Sequence, residues 1–200
     1  STPIFFAKNL FEEENRKIEV EFINLNNFYK KKEEFTKIEI ENFLNENKDQ
    51  LKIEYIDFEY AIINPKNLIG IDEFNQTFFD KIDDIEVQIS NDLDLRSILS
   101  DSKIKLTSIK NFRYSPEKKE VEKKIFEKRD IKFDIIEYQN DYILYKIINS
   151  EDRIPDLNIP EIKEEVLELI FQKNRFDYNS ELLNKIKEKK FKKEDFSEMG

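Results

Sequence analysis

Apolar and polar residues alternate over several short stretches of this chain, and the alternation predicts β-strands. The longest such stretch is KIEYIDFEYAII at 52–63, where every second residue from Ile56 to Ile62 is apolar. A period of two is typical of a strand with one buried face. Near the C-terminal third, two β-branched runs are joined across Gln139-Asn140-Asp141, which predicts a hairpin. The predicted strands are 17–25, 52–63, 103–109, 131–138 and 142–148.

Apolar residues spaced by three or four positions predict helices between these strands. The clearest stripe lies between Asp72 and Ile89, where five apolar residues from Phe74 onwards recur at this spacing. Thr36 and Glu39 have the spacing of a capping box, which predicts that a helix begins there. The predicted helices are 4–16, Thr36 to about Asn47, Asp72 to about Ile89, a short one capped by Asp92, one that starts at Ser115-Pro116, and a long one from Pro160 to about Lys190.

The residue types that are missing narrow the choice of function. The chain has 200 residues with no histidine, no cysteine and two glycines. Histidine or cysteine takes part in most nucleophile–base arrangements and in zinc sites, and glycine-rich loops cradle phosphates. The acids at 92, 94 and 101 also lack the spacing and the glycine of an EF-hand loop. The composition therefore argues against most enzyme classes, and we expect neither a cofactor nor a bound metal.

The formal net charge of −10 limits the expected partners. A nucleic-acid backbone requires a basic face, and an anionic membrane surface attracts cations, so neither is an expected partner. No run of 18 apolar residues is present. The start at Ser1-Thr2-Pro3 is interpreted as a cut inside a longer protein, with an anchor or a signal segment upstream.

The order of predicted elements from 52 to 150 resembles a parvulin-type (PpiC) prolyl isomerase module, and the whole chain resembles the PpiD/SurA group of periplasmic folding factors. Three stretches carry the resemblance: Asn15-Arg16 before KIEVEFINL, TKIEIENFLNENKDQLKIEYIDFEYAII, and DYILYKIIN followed by Ile154-Pro155 and EIKEEVLELI. The resemblance implies an α+β fold in which a parvulin-like antiparallel or mixed sheet with helices is flanked by N- and C-terminal chaperone-type helices.

The resemblance also implies a division into three segments and a compartment. Residues 1–51 form a helix-strand-helix segment, 52–150 a degenerate parvulin-like module, and 151–200 a long helix that packs back on the N-terminal segment. The implied localisation is the periplasm. Contact with the inner membrane is expected only through an anchor that precedes Ser1.

The residues that such a module uses for catalysis are replaced in this chain. Its two facing histidines correspond to Tyr60 (or Phe58) and Ile143, its glycine-pair loop to IKNFRYSPEKK, and the phenylalanine of its proline pocket to Val121. We therefore predict no catalytic residue. The residues predicted to bind a peptide are Phe58, Tyr60, Phe112, Tyr114, Val121 and Ile143.

Three functions remain open at this point. The first is an extracytoplasmic folding factor that binds unfolded or nascent polypeptide through apolar grooves, without isomerase catalysis. The second is an active PpiC-type peptidyl-prolyl cis-trans isomerase in which Tyr60 donates a hydrogen bond. The third is a non-catalytic scaffold. Aromatic residues at 5, 6, 11, 112 and 114 either line a groove or pack the terminal helices together, and the stretch 26–35 is interpreted as a solvated loop.

Overall fold

The computed structural model describes residues 22–100, 102 and 104–199, and it confirms the α+β fold class. The chain divides into two compact units. The terminal unit combines residues 1–43 with residues 158–200, and the sheet unit comprises residues 44–157. The helix predicted at 4–16 and most of the strand predicted at 17–25 lie outside the described residues.

Seven α-helices and four strands are seen in the described residues. Two short 3-10 turns, Leu25–Asn27 and Lys32–Glu34, precede them. The elements are α1 (Lys37–Glu46), β1 (Ile53–Ile63), α2 (Pro65–Ile69), α3 (Gln76–Ser90), α4 (Leu95–Ile98), β2 (Thr107–Phe112), α5 (Glu120–Glu127), β3 (Phe133–Tyr138), β4 (Asp141–Arg153), α6 (Pro160–Lys187) and α7 (Lys193–Met199).

The sheet unit contains one antiparallel sheet with the strand order β2-β1-β4-β3. Three helices connect β1 to β2, one helix connects β2 to β3, and β3 and β4 form the predicted hairpin. The two-residue link of this hairpin places Gln139 at φ 55°, in the left-handed region. The order of elements on which the resemblance was based is therefore the order that the fold has, with α2 as an addition.

Both faces of this sheet are covered by helices. On one face Phe58 of β1 and Tyr145 of β4 pack with Ile125 of α5 in one buried cluster. On the other face Ile63 packs in a second cluster with Phe78 and other residues of α3 and α4. Since successive side chains of a strand point to opposite faces, β1 contributes alternate residues to the two clusters. The sequence pattern predicted one buried face, whereas the sheet has two.

Several predicted element starts are wrong, and each error has a local cause. The cap of α3 is Asn75, whose side chain accepts a hydrogen bond from the backbone N–H of Phe78, and not Asp72. Asp94 rather than Asp92 caps α4, and it accepts hydrogen bonds from the backbone N–H groups of residues 96 and 97. Asn64-Pro65, which directly follows the predicted strand 52–63, begins the additional helix α2. Many Asp and Asn residues precede these helices, and spacing alone did not select the one that bonds.

Three further boundaries are also corrected. Strand β2 runs from Thr107 to Phe112 rather than over 103–109, because Ile56 of β1 pairs with Phe112. Helix α5 begins at Glu120, four residues after Pro116. The described end of the stretch predicted as a strand at 17–25 is not a strand; it leads into the turn that begins at Leu25.

The described residues of the terminal unit are mainly helical. Thr36 and Glu39 form the predicted capping box: Thr36 N donates to Glu39 Oε2 at 2.8 Å, and Glu39 N donates to Thr36 Oγ1 at 3.3 Å. The long helix α6 has 28 residues with Pro160 in its first turn, as predicted. The apolar residues of this helix predict an inward stripe of Val166, Ile170, Leu182, Leu183 and Ile186. Val166 and Ile170 are buried, as predicted, whereas Leu183 and Ile186 are exposed.

Candidate functional site

Five of the six residues predicted to bind a peptide lie together in the sheet unit. They form part of one buried cluster between the sheet and α5, and each is at most 7% exposed. The sixth, Tyr114, lies at the edge of this cluster, 44% exposed and with its ring 5.7 Å from that of Phe126. The five buried residues are Phe58, Tyr60, Phe112, Val121 and Ile143.

The strand register explains why these side chains meet. Phe58 and Tyr60 are two apart on β1 and point to the same face, so their rings are 5.9 Å apart. Phe112 closes the group from β2, with its ring 5.5 Å from Phe58 in an edge-to-face arrangement. This packing makes the predicted binding set a hydrophobic core, and only Tyr114 of the six is open to solvent. That the set binds a peptide stays a prediction.

A small polar group borders this core. Glu122 of α5 is buried, and its Oε1 lies 3.5 Å from Lys119 Nζ. Burial raises the pKa of the Tyr60 hydroxyl, and the negative charge of Glu122 acts in the same direction, against smaller opposing effects of Lys119 and a hydrogen bond with Thr107. Tyr60 therefore keeps its proton at neutral pH. Only 5% of Tyr60 is exposed, so its hydroxyl is out of reach of a bound substrate in this conformation.

An open cleft lies in the terminal unit, and the sequence did not predict it. Its volume is about 510 Å³, which is within the usual range for a ligand site. Aromatic and aliphatic side chains line it, with charged groups among them. The lining residues are Phe28, Tyr178, Glu181, Leu182, Lys185, Lys190, Phe191, Asp195, Glu198 and Met199. We call this surface the terminal cleft.

The end of α6 produces one wall of the terminal cleft. Lys189 follows the helix with φ 57°, and Lys189 N and Lys190 N donate hydrogen bonds to the carbonyl oxygens of Ile186 and Lys185. This pattern is a Schellman motif, which reverses the chain at a left-handed residue. Lys192 N then donates to Asp195 Oδ2 at 2.6 Å at the start of α7. The reversal brings α7 and α6 to the same cleft.

Phe28, in the stretch 26–35 that was interpreted as a solvated loop, also lines the terminal cleft. The ring of Phe28 stacks on that of Tyr178 at 6.5 Å, and the ring of Tyr29 meets Tyr178 edge-on at 5.7 Å. Tyr29 Oη also donates a hydrogen bond to Asn179 Oδ1 at 2.9 Å. The stretch is rich in lysine, but two of its aromatic residues, Phe28 and Tyr29, pack it against α6.

Ion pairs also hold the stretch 26–35 against the N-terminal half of α6. Lys32 Nζ lies 2.7 Å from both Glu164 Oε1 and Glu168 Oε2. Hydrogen bonds to these two carboxylates raise the pKa of Lys32 above its usual value. The bond from Lys32, followed by one from Gln172, lowers the pKa of Glu168. The stretch 26–35, which contributes Phe28 to the terminal cleft, is thus attached to α6 by both stacking and charge.

A smaller cleft of about 390 Å³ lies in the sheet unit, lined mostly by polar residues that include Asn64, Asp72 and Asn140. Phe74 borders it and stacks on Phe79 at 6.1 Å, and both rings are partly exposed. Phe74 and Phe79 form an exposed aromatic surface of the sheet unit.

The described residues contain no group of three acidic side chains placed to hold a metal ion. None of their helices is long and apolar enough to cross a bilayer. No protein-family model, curated protein or solved structure matches this chain.

Proposed function

We propose that this protein binds extended apolar segments of unfolded polypeptides and assists their folding without catalysing a reaction. The observation that carries this proposal is the terminal cleft, an open site with aromatic and aliphatic walls. Phe28, Tyr178 and Phe191 offer rings against which an apolar side chain loses contact with water. A solvent-exposed surface of this kind suits a ligand that is itself apolar.

The charged members of the terminal cleft suit the backbone of such a ligand. An extended segment carries N–H and C=O groups that require hydrogen-bond partners when they leave water. Lys185 and Lys190 are donors for carbonyl oxygens, and Asp195 and Glu198 are acceptors for N–H groups. Recognition of backbone groups is independent of sequence, which is what binding of many unfolded chains requires.

The sheet unit supports the non-catalytic part of the proposal. The residues at its predicted pocket positions pack on one another, and Val121 and Ile143 carry no proton donor. Lowering the barrier to prolyl isomerisation requires groups that stabilise the twisted amide. The observed order of elements agrees with the parvulin-like module of the resemblance, and the extracytoplasmic compartment is taken into the proposal from the resemblance to PpiD/SurA-type factors.

Binding is tested with a fluorescein-labelled peptide of alternating leucine and serine, followed by fluorescence anisotropy. We expect saturable binding to the wild type and at least a tenfold weaker affinity for Phe191→Ser, which removes one wall of the terminal cleft. Phe79→Ser is the matched control, because it removes an exposed ring of the sheet unit, and it should leave the affinity unchanged. Equal effects of the two substitutions would refute the terminal cleft as the site.

The two other functions are tested on the same preparations. A proline-containing tetrapeptide should isomerise at its uncatalysed rate, and an acceleration abolished by Tyr60→Phe would instead support the isomerase. The protein should suppress aggregation of a chemically denatured test protein at a near-stoichiometric ratio. If neither peptide binding nor suppression is seen, the scaffold is the remaining function.

A further inference from the structure

We propose that α6 also forms an antiparallel pair with the α6 helix of a second copy of this chain. The starting observation is a row of exposed apolar residues on this helix. Leu169, Phe176 and Leu183 are spaced by seven residues and are 46%, 70% and 54% exposed. A repeat of seven keeps side chains on one side of a helix, in the arrangement that a second helix covers. We call this row the α6 stripe.

The α6 stripe continues the row of a residue that α6 buries. Ile162 lies seven residues before Leu169, and it is buried together with Val166 and Ile170 on the N-terminal half of the helix. A helix that packs along its whole length covers its apolar side throughout. On α6 the row is buried at Ile162 and exposed from Leu169 to Leu183, so its C-terminal part is free to take a partner.

The symmetry of the α6 stripe favours a second copy as its occupant. Leu169 and Leu183 lie at equal distances on either side of Phe176. A two-fold axis at Phe176 therefore places Phe176 against Phe176 of the second copy, and each leucine against the other leucine. Such a contact is self-complementary, which is the requirement for a closed dimer.

Charge favours the antiparallel direction over the parallel one. The first 14 residues of α6 carry four glutamates and two lysines, a net charge of −2, and the last 14 carry three basic and two acidic residues, a net charge of +1. Antiparallel pairing places the acidic half of each helix beside the basic half of the other. In the register centred on Phe176, Glu165 lies opposite Lys187 of the second copy, whereas a parallel pair would place glutamates side by side.

The dimer leaves the terminal cleft open. Tyr178 lines the cleft, and at about 100° per residue it lies about 200° around the helix from Phe176. The pairing proposed for the α6 stripe therefore goes beyond the proposed function and does not depend on it. Each can fail while the other holds.

The complete absence of cysteine allows a direct test with single cysteine variants. A disulfide requires Cα atoms within about 7 Å. With oxidised glutathione, Phe176→Cys should form a disulfide-linked dimer at least tenfold faster than Val87→Cys, an exposed control position on α3. Leu169→Cys alone should not, because its two copies would be about 21 Å apart along antiparallel helices. A mixture of Leu169→Cys and Leu183→Cys should cross-link.

Light scattering on the unmodified protein gives the independent readout. We expect a mass of twice the 24.3 kDa of one chain at micromolar concentration, and a single-chain mass for Phe176→Glu with an unchanged circular dichroism spectrum. Cross-linking of Leu169→Cys with itself would overturn the antiparallel arrangement. A wild-type monomer at all concentrations would overturn the dimer. A lowered melting temperature of Phe176→Glu in that monomer would instead assign the stripe to a segment of the same chain, such as residues 1–21, which lie outside the described residues.

Discussion

Both units leave some large apolar side chains exposed, but most of the buried ones lie in the sheet unit, in two packed clusters. Phe58 and Phe78 are fully buried there, while Phe176 of the terminal unit is among the most exposed of the large apolar residues described. Aromatic content alone did not distinguish these two situations, because the same residue types serve both. The comparison locates the packed core in the sheet unit, and it is in the terminal unit that we propose an open apolar surface for a partner.

The largest expected effect is the loss of a core ring from the sheet unit. Phe58→Ala should lower the free energy of unfolding by about 3–5 kcal/mol, because it removes a buried ring and leaves a cavity. Phe191→Ala in the terminal cleft should cost about 1 kcal/mol or less, since that ring is already partly in water. Urea unfolding followed by circular dichroism measures both. Similar losses would remove the difference between the units.

A smaller effect is expected at Tyr145, whose hydroxyl donates a hydrogen bond to the carbonyl oxygen of Lys128 at 3.1 Å. Tyr145→Phe should cost about 1 kcal/mol at neutral pH, because the carbonyl loses a partner. Burial, followed by the charge of Asp134, raises the pKa of Tyr145 to about 12. The unfolded chain then loses this proton at a lower pH than the folded one, so wild-type stability should fall between about pH 10 and 12. The fall should be less steep for Tyr145→Phe in urea titrations across this range, and parallel pH profiles would contradict the assignment.

Lys189 and Gly70 both have a left-handed backbone conformation, and substituting them should have small and opposite effects on stability. Lys189 adopts φ 57° at the reversal beside the terminal cleft, so Lys189→Gly should stabilise the protein by up to about 1 kcal/mol. Gly70 adopts φ 76° at the end of α2, with no atom within 4 Å of an added Cβ. Gly70→Ala should therefore destabilise the protein by about 1 kcal/mol through backbone strain alone. Thermal melts of the two variants should shift in opposite directions, and a shared direction would contradict this explanation.

The smallest expected effect concerns the exposed capping box of α1. Hydrogen bonds from Lys30, and then from Thr36, lower the pKa of Glu39 to about 2. The folded state therefore favours the ionised carboxylate, and its stabilising contribution is present above about pH 4.5 and lost as the pH falls towards 2. The stability difference between wild type and Glu39→Gln should shrink over this interval. A difference that is constant from pH 6 to 2 would show that the carboxylate charge has no role.

Local patterns predicted much of the sheet unit and one helix start in the terminal unit. Alternation located β1 and the hairpin, and the spacing of Thr36 and Glu39 located the start of α1. Cap selection could not be predicted as well, because Asp72 and Asn75 are both good caps and only the packing of Phe78 in the core decides between them. A cap is a local preference, and tertiary packing overrides it.

The terminal cleft could not be predicted, because it depends on contacts between distant parts of the chain. Tyr29 and Asn179 are 150 residues apart, and nothing in either neighbourhood indicates their hydrogen bond. The predicted peptide-binding set shows the complementary problem. Five of its residues lie in one buried cluster, and a sequence pattern cannot distinguish a pocket from a core, since both collect apolar side chains at the same spacing.

The most direct test of the account is to map where an unfolded polypeptide binds. An apolar peptide that carries a benzophenone group is cross-linked to the protein by light, and the attached fragments are identified by mass spectrometry. The account predicts attachment to fragments that contain residues 178–199 or Phe28, which line the terminal cleft, and loss of that attachment in Phe191→Ser. Attachment mainly to fragments of the sheet unit that contain residues 107–145 would contradict it.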